Sequence, residues 1–136
     1  MPRPFRVLLV QSDTAISAPV AAFLQEEGYR VTRSSDGIGG LNLVRRTQPD
    51  LIILDADLPG IDGITLAGTI RKQTPTPIIL LIDGADEIQQ VIGLDRGADL
   101  CMVTPVSLAE LRARIRALLR RAEHNKAPRA QTLSIG

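Results

Sequence analysis

Leu51-Ile52-Ile53-Leu54-Asp55-Ala56-Asp57-Leu58-Pro59-Gly60-Ile61-Asp62-Gly63 is an unbroken aliphatic run that ends on a carboxylate and passes into a turn rich in glycine. Four aliphatic residues without alternation suit a strand buried on both faces, as in a parallel sheet. Val7-Leu8-Leu9-Val10 repeats the pattern upstream, and Ile78-Ile79-Leu80-Leu81-Ile82 and Leu100-Cys101-Met102-Val103 repeat it downstream. A shorter extended piece, Tyr29-Arg30-Val31-Thr32, follows Gly28 and makes a fifth.

Helical spacing fills the gaps. Val20, Phe23 and Leu24 mark a first helix that stops at Gly28, and Leu41 and Val44 mark a second before Pro49. Ile64, Ala67 and Ile70 mark a third, and Ile88, Val91 and Leu94 a fourth that ends at Gly97. Leu108, Leu111, Ile115, Leu118 and Leu119 form one face of a fifth, which Ser107-Leu108-Ala109-Glu110 opens as a capping box. Five strand–helix units predict an α/β domain with a doubly wound, five-stranded parallel sheet, (βα)5. Pro19 breaks the local rule, because a proline inside a helix removes a backbone hydrogen bond. Ser17-Ala18-Pro19 reads instead as a cap and a first-turn proline, so the first helix is expected to start late or to be kinked.

The chain has 136 residues, a usual size for one domain, and its 44% hydrophobic and 23% charged residues exclude a wholly disordered chain. The run from Ile78 to Ile82 is far too short to span a bilayer, and Met1-Pro2-Arg3-Pro4-Phe5-Arg6 lacks the apolar stretch of a secretory signal. A cytoplasmic protein without a membrane partner is expected. One cysteine and one histidine exclude an internal disulfide and the usual zinc site, so Cys101 is expected as core filler and His124 as a solvated residue. The acids Asp50, Asp55, Asp57 and Asp62 lie between Arg46 and Arg71 with no base among them, whereas seven bases face only Glu123 from Arg112 onward. That basic end is expected to be a solvated helix face, with weak, salt-sensitive contact to duplex DNA as the alternative.

Residues 1–121 are expected to form the domain. Residues 122–136 contain a polar, proline-bearing linker and then Gln131-Thr132-Leu133-Ser134-Ile135-Gly136, which alternates like the first strand of a second, truncated domain; a disordered tail is the simpler alternative. In a doubly wound fold functional groups gather at the carboxyl ends of the strands, here Gln11-Ser12-Asp13, Asp55, Ile82-Asp83 and Thr104-Pro105. A carboxylate at such an end is a nucleophile, a metal ligand or merely a cap.

Over about residues 5 to 121 the chain resembles the receiver domain of two-component response regulators, which has a flavodoxin-like fold. Leu51 to Gly63 is similar to the phosphoacceptor strand and loop, Gly93-Leu94-Asp95-Arg96-Gly97-Ala98-Asp99 to the end of the fourth helix, and Pro105-Val106-Ser107-Leu108-Ala109-Glu110-Leu111 to the start of the fifth. Leu119-Arg120-Arg121, with the linker, is similar to the subfamily carrying a C-terminal winged-helix DNA-binding domain. The resemblance implies Asp55 as the phosphoacceptor. It also implies two acids after strand one that help hold Mg²⁺, where this chain has Gln11 and Ser12; Asp13 lies one place further along. The hydroxyl residue after strand four is Ile82, the aromatic of strand five is Cys101, and the lysine before a cis-proline is Thr104.

A receiver so altered is expected to bind Mg²⁺ weakly or not at all, to use no other cofactor and to be no enzyme. It would serve as an atypical regulatory module in transcription control, independent of phosphorylation. The alternatives are a conventional phosphoacceptor phosphorylated at Asp55 by a histidine kinase, and a small-molecule sensor using the space beside Asp55. The resemblance further implies a homodimer through the face of helix four, strand five and helix five, to which Asp99, Glu110 and Arg114 belong, a histidine kinase or other regulatory protein as partner, and DNA bound through the missing C-terminal domain.

Overall fold

The computed structural model describes residues 3–84 and 86–125. Five strands alternate with five helices: β1 (Arg6–Val10), α1 (Thr14–Glu26), β2 (Arg30–Ser34), α2 (Gly37–Thr47), β3 (Leu51–Asp55), α3 (Gly63–Arg71), β4 (Ile78–Asp83), α4 (Glu87–Arg96), β5 (Leu100–Thr104) and α5 (Leu108–Asn125). The strands form one parallel sheet in the order β2-β1-β3-β4-β5. Side chains alternate between its two faces. Val7, Leu9, Leu51, Ile53, Ile79 and Leu81 pack under α1 and α5, where Leu24, Leu111 and Ile115 meet them. Leu8, Val10, Ile52, Leu54, Ile78, Leu80 and Ile82 pack on the opposite side, against Val44 of α2 and Leu66, Ala67 and Ile70 of α3. Burial on both faces is why these runs are continuous, and each fully buried Leu or Ile contributes about 1.5–3 kcal/mol.

Three sequence expectations change. α1 does not start late: the Asp13 side chain accepts from the Ala15 amide at 2.9 Å, and the Asp13 carbonyl accepts from the Ser17 amide at 2.9 Å. Pro19 therefore lies inside the helix. Ser17 is no cap but a buried residue whose hydroxyl accepts from Arg33. An early cap, together with the buried face of Ser17, Val20, Ala21 and Leu24, outweighs the hydrogen bond that Pro19 cannot make. In α4 the apolar stripe does not face the core. Gly93 is the buried residue of this helix, while Ile88, Val91 and Leu94 are 71%, 57% and 47% exposed. A Cβ on Gly93 would sit 2.6 Å from Leu80 Cδ2, so α4 rests on the sheet through a position without a side chain. Finally, α5 runs to Asn125, beyond the boundary at 121, since Ala122 and Glu123 favour helix. Its start agrees with half of the capping box: Ser107 Oγ accepts from the Glu110 amide at 3.2 Å, but the Glu110 carboxylate pairs with Arg114. The linker from Lys126 on and the strand expected over 131–136 lie outside the described residues.

Candidate functional site at the carboxyl edge of the sheet

β1 and β3 are the strands between which the chain reverses its direction of winding, and loops from both open there. Val10 pairs with Leu54, so Gln11 and Asp55 leave the sheet side by side. The Gln11 Nε2 donates to Asp55 Oδ1 at 3.2 Å. Gln11 is only 3% exposed, and its Oε1 is buried without a partner. Ser12 and Asp13 are exposed beside them, Asp13 being engaged in the α1 cap.

The Asp55 carboxyl is pushed up to about 6. Burial is the main cause; the Gln11 hydrogen bond opposes it, and the negative charges of Asp57, Asp13 and Asp83 add to it. The loop after Asp55 folds back tightly. The Gly63 amide donates to the Ala56 carbonyl at 2.8 Å, and a Cβ on Gly63 would lie 1.9 Å from the Asp55 carbonyl oxygen. Only glycine fits this turn, which explains the residue that closes the decisive stretch of sequence.

The acid-rich segment is not one cluster. Asp50 sits at the other end of β3 from Asp55, where its side chain accepts from the Arg6 amide at 2.8 Å and pairs with Arg3 at 3.0 Å. Asp62 caps α3, accepting from the Thr65 amide and hydroxyl at 2.9 Å each, and these bonds hold its carboxyl below the ordinary aspartate value. Asp55 and Asp57 remain at the candidate site. Among the described residues no group of three or more His, Cys, Asp or Glu side chains is arranged to hold a metal ion.

The neighbouring strands complete the floor. Ile82 is fully buried, within the cluster that holds Val10, Leu54 and Leu58. Asp83 and Thr104 are register partners, and the Thr104 hydroxyl donates to Asp83 Oδ1 at 3.3 Å. The Thr104–Pro105 peptide is cis. Cys101 is half-buried against α4, its Sγ donating to the Gln90 carbonyl at 3.6 Å, and burial raises its thiol above the usual range.

Residues 7–116 match the family described as the response regulator receiver domain. The chain belongs to that family. It is 46% identical over 117 residues to the transcriptional regulatory protein AfsQ1 of Streptomyces coelicolor, covering 86% of this chain and 52% of that protein. It is 37% identical over 131 residues to the DNA-binding response regulator MtrA of Mycolicibacterium smegmatis, covering 96% of this chain and 56% of that one. The chain thus spans about half the length of these curated relatives. Among solved structures, the CheY-like receiver domain protein from Methanospirillum hungatei superposes with a TM-score of 0.86 at 28% identity, covering 90% of this chain and 98% of the other. The BeF3-activated N-terminal receiver domain of Klebsiella pneumoniae RstA gives 0.82 at 31% identity, covering 85% and 98%.

In this receiver domain the residues expected on the dimer face have partners within the chain. Asp99 pairs with Arg71 and accepts from the Ile78 amide at 2.7 Å, and Glu110 lies 3.8 Å from Arg114 on the exposed side of α5. What sequence reasoning missed is the apolar exposure beside them, chiefly Ile88 and Val91 of α4. The signal was Gly93, a residue without a side chain set among larger apolar ones. No helix among the described residues is long and apolar enough to cross a membrane.

Proposed function

We infer that the chain is the receiver module of a transcriptional regulator, and that its signalling does not run through Mg²⁺-dependent phosphorylation of Asp55. The single observation that carries this reading is the bond from Gln11 to Asp55. Where the family places an acid that helps to hold the cation, a neutral amide points its N–H at the nucleophile. Mg²⁺ sheds its water reluctantly and is usually held by carboxylates. Gln11 and Ser12 are neutral, and Gln11 already donates to Asp55, the carboxylate that ends β3. The residues do not fit the ion. Thr104 contributes a hydroxyl in place of a cation, and that hydroxyl is engaged with Asp83. Losing one fixed donor to a developing anion typically costs about 3–4 kcal/mol of transition-state stabilisation. Asp55 then serves as a fixed acceptor that ties β3 to β1.

A module of this kind acts by contact and has no chemistry of its own. The relatives carry the names of transcriptional and DNA-binding regulators, and this chain spans only about half of their length, so DNA would be bound through a further domain of the intact protein. The exposed apolar side chains of α4, with Glu110 and Arg114 on α5, are the surface we assign to a homodimer in the cytoplasm. The conventional reading, phosphorylation of Asp55 by a histidine kinase, draws on the placement of Asp55 at the end of β3. Amide shifts recorded during Mg²⁺ titration, followed by beryllofluoride, separate the two. Little change at Ala56 or Gln11 up to millimolar Mg²⁺ is expected. Saturable Mg²⁺ binding with analogue-dependent dimerisation would establish the conventional mechanism instead.

A further inference from the structure

A cavity of about 420 Å³ lies a few side chains from Asp55, between α1 and the segment that joins β5 to α5. Ile16, Pro19 and Val20 form one wall, and Val106 and Leu108 form the other. The size lies in the range of small-molecule sites, and so does the composition, an apolar body with a few polar groups at one end. Those groups are Gln11, Asp83 and Thr104. The Gln11 Nε2 is engaged with Asp55, and the Thr104 hydroxyl hydrogen is directed to the Asp83 carboxylate. Among the described residues Asp83 is the one charged group on the lining, and no lysine, arginine or histidine stands there to balance it.

Pro19 adds an independent reason. It removes the helical donor to the Ala15 carbonyl in the interior of α1, a position where helices ordinarily exclude proline. Departures from local rules concentrate at functional sites, and this one is in the cavity wall. We propose that the cavity binds a small, largely apolar molecule bearing a protonated amine, its body against Pro19, Val20 and Leu108 and its ammonium group directed to the exposed carboxylate of Asp83. Such a ligand would tie α1 to the start of α5, the helix that leads toward the remainder of the chain. The site stands whether or not Asp55 takes a phosphoryl group, so its failure leaves the function proposed above untouched.

Three arylalkylamines (tryptamine, phenethylamine and naphthylmethylamine) are suitable probes, with indole-3-propionate as an acid of similar shape. The assay is amide chemical shift during titration of the whole chain. At least one amine is expected to give saturable shifts at Ile16, Val20, Thr104 and Leu108 in the range of about 1 mM. Indole-3-propionate should bind at least about fivefold more weakly. Ile16→Trp, on a side chain 54% exposed, should fill the mouth and weaken binding about tenfold. Asp83→Asn, on an exposed side chain, should weaken the amine about two- to fivefold and leave the acid unaffected or improved. The proposal is overturned if no amine gives saturable shifts, if the acid binds as well as the amines, or if the shifts lie away from the cavity.

Discussion

Replacing Asp55 with asparagine should make this receiver domain more stable at neutral pH, and the size of the gain should depend on pH. In the folded chain burial pushes the Asp55 carboxyl from 3.8 up to about 6. The folded state therefore holds that proton more tightly than the unfolded chain does. Above pH 6 both states are ionised, and folding carries the full penalty of an unwelcome charge. Such a displacement corresponds to about 3 kcal/mol at most, which screening at a half-buried site reduces to about 1–3 kcal/mol. As pH falls through 6 the folded carboxyl takes up its proton and the penalty shrinks, vanishing below the unfolded value of 3.8. Stability attributable to Asp55 thus rises on acidification, the reverse of an ordinary salt-bridged aspartate.

Urea unfolding of the wild type and of Asp55→Asn at pH 8, 7, 6 and 5 measures this. The introduced amide would still accept from Gln11 Nε2, and its own NH₂ group would supply a donor near the unpartnered Oε1. The absolute gain therefore mixes two effects, while the pH dependence of the difference isolates the carboxylate. The variant should be more stable at pH 8 by about 1–3 kcal/mol, and the gap should narrow by about 1 kcal/mol by pH 5. Parallel stability profiles across this range, or a less stable variant at pH 8, would refute the account of Asp55 as a charge held in an unfavourable place.

Gly63→Ala forces a methyl into the 1.9 Å gap above the Asp55 carbonyl, so it should destabilise by more than Gly93→Ala, whose methyl meets the movable Leu80 side chain at 2.6 Å and should cost about 1–3 kcal/mol; urea midpoints compare them. Ile88→Asp together with Val91→Asp should change stability by less than about 1 kcal/mol, because both side chains are exposed, yet should abolish any homodimer seen by sedimentation. The combined variant Gln11→Asp, Ser12→Asp and Thr104→Lys should gain saturable millimolar Mg²⁺ binding, measured by amide shifts at Ala56, and should be destabilised without the ion by repulsion among the new carboxylates.

β1, β3 and β4 could be read from the sequence because they are buried on both faces, and only continuous aliphatic runs satisfy that environment, whereas β5 carries such a run at an edge with only Met102 buried. β2 agrees for another reason: it lies at the edge, and its residues Arg30 and Arg33 are exposed. The candidate site was readable to the extent that strand ends determine it: Gln11, Asp55, Asp83 and Thr104 do meet at one edge. What local pattern could not supply was orientation. The α4 stripe of Ile88, Val91 and Leu94 has the periodicity of a core face, and only the contact of Gly93 with Leu80 decides that it turns outward. Pro19 misled as to where α1 begins, because helix rules weigh the proline but not the burial of Val20 and Leu24. Asp50 and Asp55, close in sequence, stand at opposite ends of a strand, about 16 Å apart at 3.3 Å per residue. The cavity brings together α1, the end of β4 and the segment that joins β5 to α5, which no spacing in one segment reveals.

A receiver that signals must have two arrangements and something that binds them unequally. On the reading proposed here, the parts that would let the phosphoacceptor edge alternate are fixed. Ile82 is fully buried among Val10, Leu54 and Leu58, where a rotating side chain would open a void, and Cys101 packs against Gly93 with its thiol on the Gln90 carbonyl. Asp55 is held by Gln11. A signal must then enter where side chains remain uncommitted. The apolar exposure of α4 and the cavity between α1 and the segment that joins β5 to α5 are two such places. They lie on opposite sides of β5, whose end carries Thr104 and whose exposed Val103 adjoins it. A ligand in the cavity would press on Thr104 and Leu108 and so bias how β5 and α5 meet α4. Coupling of this kind needs no phosphate, only that the occupied cavity and the paired α4 face prefer the same position of β5.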